Sequence, residues 1–179
     1  WTKFWSHTYA SFDEIEAPAP HGEPALHGLN LDWMRFVTHQ TLDYYKHERS
    51  ILKEITPDIP VTTNFHDYIS LFRGIDYWKF APYLDVVSWD NYPYWHGERT
   101  DDHEGSRIGF VHDLNRAILN GKPFMMMESS PSSTNWQPVA KLRRPGMHVL
   151  SSLQAVAHGS DTVQYFQWRK SRGSSEKFH

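Results

Sequence analysis

With 39% hydrophobic and 22% charged residues, the 179-residue chain of 21.0 kDa has the composition of one packed domain rather than of a disordered segment. Eighteen Lys and Arg against twenty-one Asp and Glu leave a net charge of -3 with no basic block, which argues against a nucleic-acid backbone binder. No stretch approaches the roughly 20 apolar residues of a membrane span, and the lack of cysteine removes disulfides, thiolate zinc sites and cysteine nucleophiles while leaving the compartment open.

Residues 1 to 30 read as a long surface loop: an aromatic start (Trp1, Phe4, Trp5, Tyr9), acidic residues from Asp13 to Glu16, then Pro18, Pro20, Gly22, Pro24 and Gly28. Asn30 is placed to cap a helix that runs to about Thr56, where Pro57 closes it. At about 100° per residue, Trp33, Met34, Val37, Tyr44, Tyr45, Ile51, Leu52 and Ile55 share an arc of roughly 120°, so one face is expected to be buried. Glu48 lies inside that arc and is expected to meet an Arg or backbone partner, because an unpaired buried carboxylate is costly.

A strand at Val61–Phe65, a short helical piece near Tyr77–Tyr83 and a second strand at Val86–Trp89 follow. Ile108, Val111, Leu114 and Ile118 mark a helix from about Ser106 to Asn120, stopped by Gly121. A third strand, Phe124–Met127, leads into Glu128. A helix over Met147–His158 stops at Gly159, and the fourth strand is Thr162–Phe166. This alternation predicts parallel strands joined by helical crossovers, in a doubly wound sheet or a (β/α)8 barrel. A nucleotide-binding sheet would place a Gly-rich turn after its first strand, whereas these strands end in Asn64-Phe65-His66, Trp89-Asp90-Asn91-Tyr92, Glu128-Ser129-Ser130 and Gln167-Trp168-Arg169. Polar and aromatic groups at strand C-termini fit the active face of a barrel, and four strands amount to about half of one.

Glu128 is the sharpest chemical signal, an acid at the end of a strand followed by a Ser-Pro turn that cannot extend it. It reads either as a nucleophile or general acid or as a structural partner of an Arg such as Arg169. Glycoside hydrolysis needs two carboxyl groups, and Asp90 and Glu176 are the available second members, or else ligands for sugar hydroxyls. Aromatic residues make up 15% of the chain, and Trp89, Tyr92, Trp95, Trp136 and Trp168 stand beside turn or strand-end residues, where they form flat faces for a sugar ring or ordinary core and rim. Of the twelve histidines, His47 and His103 precede a Glu without a second His at the zincin spacing, so no metal site is read. Phosphate-binding and nucleophile-elbow sequences are missing too.

Four segments in order, Trp1 to Tyr9, Ser88-Trp89-Asp90-Asn91-Tyr92-Pro93, Met127-Glu128 with Asn135-Trp136, and Tyr165 to Arg169 with Glu176 and His179, resemble the glycoside hydrolase family 42 β-galactosidases. The resemblance spans essentially the whole chain. It implies a retaining bacterial hydrolase on a (β/α)8 TIM barrel, of which residues 1–179 are strands five to eight with their helices, the second half of a catalytic domain in a longer protein. It implies Glu128 as the nucleophile, and Tyr92, Trp136, Glu176, His179 and Trp5 as substrate-binding residues. The family's acid/base glutamate belongs to an Asn-Glu pair on strand four, upstream of Trp1, and this sequence has no such pair. The cysteine cluster that binds zinc in some members has no counterpart either. No cofactor is implied; the partners implied are a galactoside or galacto-oligosaccharide and other copies of the full-length protein, as a trimer, in the cytoplasm. An enzyme of the same clan acting on α-L-arabinopyranosides and a non-catalytic sugar-binding protein are the competing readings.

Overall fold

The computed structural model describes residues 3–4, 7–18, 27–66, 74–137, 139 and 141–178. Where the sequence reads as loop, the chain begins with a short antiparallel ladder, β1 (Lys3–Phe4) against β2 (His7–Thr8), and a 3-10 turn at Phe12–Glu14. Helix α1 (His27–Ile55) starts upstream of Asn30; a capping preference worth about 1 kcal/mol does not fix the start of so long a helix.

Helix α1 docks at its middle. Thr38 Oγ1 donates to Gly74 O at 2.9 Å and accepts from Asp76 N at 3.0 Å, while the Tyr45 hydroxyl lies 3.3 Å from both Val61 O and Tyr83 O. Arg49 and Lys53 reach Asp85, each at 2.9 Å. The predicted apolar arc is therefore only partly covered: Tyr45 is buried, but Trp33, Tyr44, Ile51, Leu52 and Ile55 are exposed. Glu48 is exposed as well, with the Tyr44 hydroxyl as its neighbour, so the expected buried carboxylate does not arise.

Four strands form one parallel sheet: β3 (Asn64–His66), β4 (Val87–Asn91), β5 (Phe124–Ser129) and β6 (Ser160–Val163), in that spatial order. Strand order follows chain order without the reversal that defines a doubly wound sheet, so the sheet winds in one direction, as in a barrel. Two 3-10 turns, Tyr77–Lys79 and Ala81–Tyr83, lie in the described part of the first crossover; α2 (Asp101–Ile118) and α3 (Met147–Ala157) lie in the others. Helix α2 packs on β4, α3 on β6, and the two helices on each other, so both cover one face of the sheet. Thr100 caps α2 through the His103 N–H, and Gly121 and Gly159 follow the two helices at φ of 83° and 99°, the left-handed region where glycine carries no steric cost.

The core between sheet and helices is built from Val87, Trp89, Phe124 and Met126 on the strands and Ile108, Val111 and His112 on α2. Trp89 meets the His112 ring edge-on at 5.0 Å and Phe124 stacks on it at 5.4 Å. Trp89 and Trp95, two of the aromatics considered for a sugar face, are thus core residues. Among the described residues, no helix is long and apolar enough to cross a membrane.

Candidate active site

Side chains alternate between the faces of a strand. In β4, Val87 and Trp89 point to the helices, so Ser88 and Asp90 point the other way. Thr62 Oγ1 lies 2.9 Å from Ser88 Oγ, and Asn64 Nδ2 donates to Asp90 Oδ2 at 2.5 Å. In β5, Phe124 pairs with Val87 and Met126 with Trp89, both on the helix side. Strict alternation would send Glu128 to that side too. Instead the register shifts by one, so that Asp90 pairs with Glu128 and Met127 is left over. This β-bulge turns Glu128 onto the face of Asp90, the re-aiming for which bulges next to active sites are known.

On that face Glu128 is half-buried and its Oε2 accepts from the Tyr92 hydroxyl at 2.6 Å. Arg169, the structural partner considered from sequence, is exposed, and the hydrogen bond to Glu128 comes from Tyr92. Burial pushes the Tyr92 phenol far above its ordinary range, and the hydrogen bond to Glu128 and the charges of Glu128, Asp90 and Glu176 push the same way. Tyr92 is therefore a neutral donor at any working pH. Burial also raises the Asp90 carboxyl to about 6; the Asn64 bond opposes this and the Glu128 charge adds to it. Asp90 is 3% exposed and its Oδ1 is buried without a hydrogen-bond partner among the described residues.

The Tyr92 ring meets Trp136 edge-on at 5.6 Å, and Tyr94 does the same at 6.2 Å, forming an aromatic corner beside Glu128. Trp136 is 52% exposed, so its ring offers a face to solvent. The turn that carries it is folded by Ser130, whose hydroxyl donates to Ser133 O at 2.9 Å and accepts from Ser132 N at 3.3 Å. Past β6 the pairing continues irregularly, with Gln164 N to Met126 O at 3.0 Å and Phe166 N to Ser129 O at 2.9 Å, over the span assigned to the fourth strand from sequence. Trp168 is then fully out in solvent. Gln167 Nε2 donates to Glu176 O at 3.0 Å, and Glu176 Oε2 is buried without a hydrogen-bond partner among the described residues. Trp5 and His179 lie outside the described residues.

Glu128 on β5 and Tyr92, Trp136 and Glu176 from three separate loops thus meet at one end of the sheet, with Asp90 and Asn64 beside them. Sequence reasoning misses the ties that fix these loops. Glu104, buried in the first turns of α2, accepts from Tyr94 N at 2.9 Å and is held by Arg107 at 2.8 Å. The three acids Asp101, Asp102 and Glu104 at the start of α2 are the available signal, but they read equally as helix-dipole partners. Among the described residues no group of His, Asp and Glu could hold a metal ion.

The chain resembles solved and characterised proteins along its whole length. It is 61% identical over 179 residues to the β-galactosidase BglY of Alicyclobacillus acidocaldarius and 58% identical over 185 to GalA of Bacillus licheniformis, covering 25% and 27% of those proteins. The structure matches all of this chain to 26% of the cold-adapted β-galactosidase from Rahnella sp. R3, with a TM-score of 0.91 and 56% identity. It also matches 27% of a catalytic mutant of Gan42B, a GH42 β-galactosidase from G. stearothermophilus, with a TM-score of 0.88 and 54% identity. The chain therefore spans about a quarter of the length of these relatives, and its sheet is part of a TIM barrel. The glycoside hydrolase family 42 model, described as β-galactosidase, matches residues 1–179, and the chain belongs to that family.

Proposed function

We propose that residues 1–179 form the second half of the catalytic barrel of a retaining β-galactosidase, with Glu128 as nucleophile. The observation that carries this is the 2.6 Å bond from Tyr92 to Glu128 Oε2. It fixes the carboxylate rotamer and leaves the other oxygen for attack. In this reading Glu128 attacks the anomeric carbon while the departing oxygen takes a proton from an acid contributed by the other half of the barrel. The resulting galactosyl ester is cleaved by water, which gives its proton back to the same acid/base group. Trp136 stacks on or borders the sugar. Glu176 Oε2, buried and without a partner among the described residues, bonds or lines sugar hydroxyls with His179 and Trp5, because a buried acceptor is costly until a donor reaches it. The substrate is a β-galactoside or galacto-oligosaccharide, and the whole protein is a homotrimer of the cytoplasm that needs no cofactor.

In the full-length enzyme, Glu128→Ala lowers turnover of a nitrophenyl β-galactoside on the order of a thousandfold or more. Azide then restores part of the cleavage of an activated galactoside and yields the α-galactosyl azide. Near-normal turnover in the mutant, or a 2-fluoro-galactoside labelling a different carboxylate, overturns the assignment. A parent protein that binds galactose but hydrolyses no glycoside shifts the reading to a non-catalytic sugar binder.

A further inference from the structure

The loop after β4 turns over Tyr94 to Gly97, closed by a bond from Gly97 N to Tyr94 O at 3.2 Å, with His96 at a φ of 61°. Asn, Asp and His are the side chains best tolerated in that left-handed region, and this histidine is bound on every side. Its N–H donates to Asp101 Oδ1 at 2.9 Å, and its Nδ1 lies 3.1 Å from Asp101 Oδ2. From the opposite direction, Arg144 N donates to His96 Nε2 at 3.1 Å and Lys141 Nζ to His96 O at 2.6 Å. The Arg144 guanidinium also closes on Asp101. Because Nε2 accepts, the ring proton resides on Nδ1 and is donated to Asp101.

These bonds connect two separate pieces of chain. Asp101 opens α2 and anchors the loop that carries Tyr92 and Tyr94, whereas Lys141 and Arg144 belong to the connection between β5 and α3 that carries Trp136. The edge-on contacts of Trp136 with Tyr92 and Tyr94 are made between those same two loops. Asp101 and Glu104 of α2 hold the first of these loops, and the bonds from Arg144 and Lys141 to His96 tie the second loop to it.

We propose that His96 is a positioning residue for the sugar site: its ring latches the Tyr92–Tyr94 loop to the Trp136 loop and thereby sets the aromatic corner beside Glu128. The role rests on the reading of Trp136 as the residue that meets the sugar. His96 itself touches no substrate. It acts by holding Trp136 at the height and angle the sugar requires.

The test is a set of variants of the full-length enzyme assayed with a nitrophenyl β-galactoside. His96→Asn keeps a residue suited to positive φ and a donor toward Asp101, but its side chain is too short to meet Arg144 N. His96→Gln places an amide oxygen where Nε2 stands. The Asn variant is expected to raise KM about tenfold with a smaller change in kcat, and the Gln variant to recover most of that loss. In a Trp136→Ala background, His96→Asn is expected to change KM by less than about twofold, because its effect is routed through Trp136. A KM within about twofold of the parent in His96→Asn, or the same factor of loss with and without Trp136, overturns the latch. An active, Glu128-dependent enzyme that is indifferent to His96→Asn refutes this role alone. A parent inert toward galactosides, or active without Glu128, refutes the reading of the site on which it rests.

Discussion

Tyr92 and Glu128 are joined by one short bond, and its direction is fixed. With a phenol driven well above its ordinary range, the hydroxyl keeps its proton and donates it to Glu128 Oε2. Replacing Tyr92 by Phe keeps the ring against Trp136 and removes only the donor. The expected result is a fall in kcat of roughly ten- to a hundredfold with little change in KM, because the carboxylate loses the rotamer that faces the sugar. Unchanged kcat in Tyr92→Phe would show that Glu128 is positioned by other contacts. The position of Glu128 at a strand end is legible in the sequence, because the Ser-Pro turn that follows cannot extend the strand. The buried Asn64–Asp90 pair beneath it is not, since an Asn and an Asp 26 positions apart carry no local sign that they will meet.

At the scale of elements, α2 is held to the sheet by an apolar layer that includes a histidine. His112 is fully buried between Trp89 and Phe124, neither ring nitrogen has a hydrogen-bond partner among the described residues, and burial lowers its pKa to about 3, with the nearby His158 charge adding to the effect and Asp113 opposing it. An unfolded chain takes up that proton near 6.5. His112 therefore leaves stability untouched above about pH 7 and removes it as pH falls from about 6.5 toward 3, at up to about 1.4 kcal/mol per unit. His112→Leu should flatten this limb: its thermal midpoint relative to the parent rises as pH is lowered from 7 to 4.5. A constant difference between the two across that range would show that the histidine does not carry the acid sensitivity. Element order and type are legible from periodicity, and each of the four strands is found within a few residues of its expected place. The faces are less so. In α3 the periodic residues Leu150 and Leu153 are exposed while Met147, Ser151 and Ala155 meet the sheet and core. A barrel helix packs on flanking helices as well as on strands, so its apolar stripe does not name the neighbour it meets.

For the molecule as a whole, two surfaces follow from the four-stranded sheet of the described residues. Among those residues β3 and β6 each have one unpaired edge, and Val149, Leu150, Leu153 and Val156 on α3 with Leu31, Phe36, Ile51, Leu52 and Ile55 on α1 expose apolar area. Unpaired edges and large apolar patches drive association. Residues 1–179 expressed alone should elute from a sizing column as self-associated material and should not cleave a nitrophenyl β-galactoside, because the proposed retaining mechanism needs a second carboxyl about 5 Å from Glu128. Asp90 is the nearest acid of the sheet, but its Oδ2 is engaged by Asn64. Turnover by the isolated chain within an order of magnitude of the full-length enzyme, abolished by Glu128→Gln, would place the proton donor here and most plainly implicate Asp90. The sequence has no Asn-Glu pair, which is why the proposed mechanism takes its acid/base from a second segment. Which aromatics line the cleft is not legible, because Trp89 and Tyr92 share the same turn-rich surroundings and only the alternation of β4 separates core from corner.

The leftover Met127 makes Glu128 a matter of odd and even counting. Losing that one codon would remove the extra residue, and plain alternation from Met126 would then set the glutamate on the Asp90 face with no bulge at all. Such a protein would keep its composition and its Glu-Ser-Ser signature, and a gapped alignment would still lay its glutamate over Glu128. Its acid would point the same way as here, so in comparing relatives of this chain a one-residue gap before the glutamate is no sign that the acid has turned to the helices; an ungapped strand that has lost its bulge is.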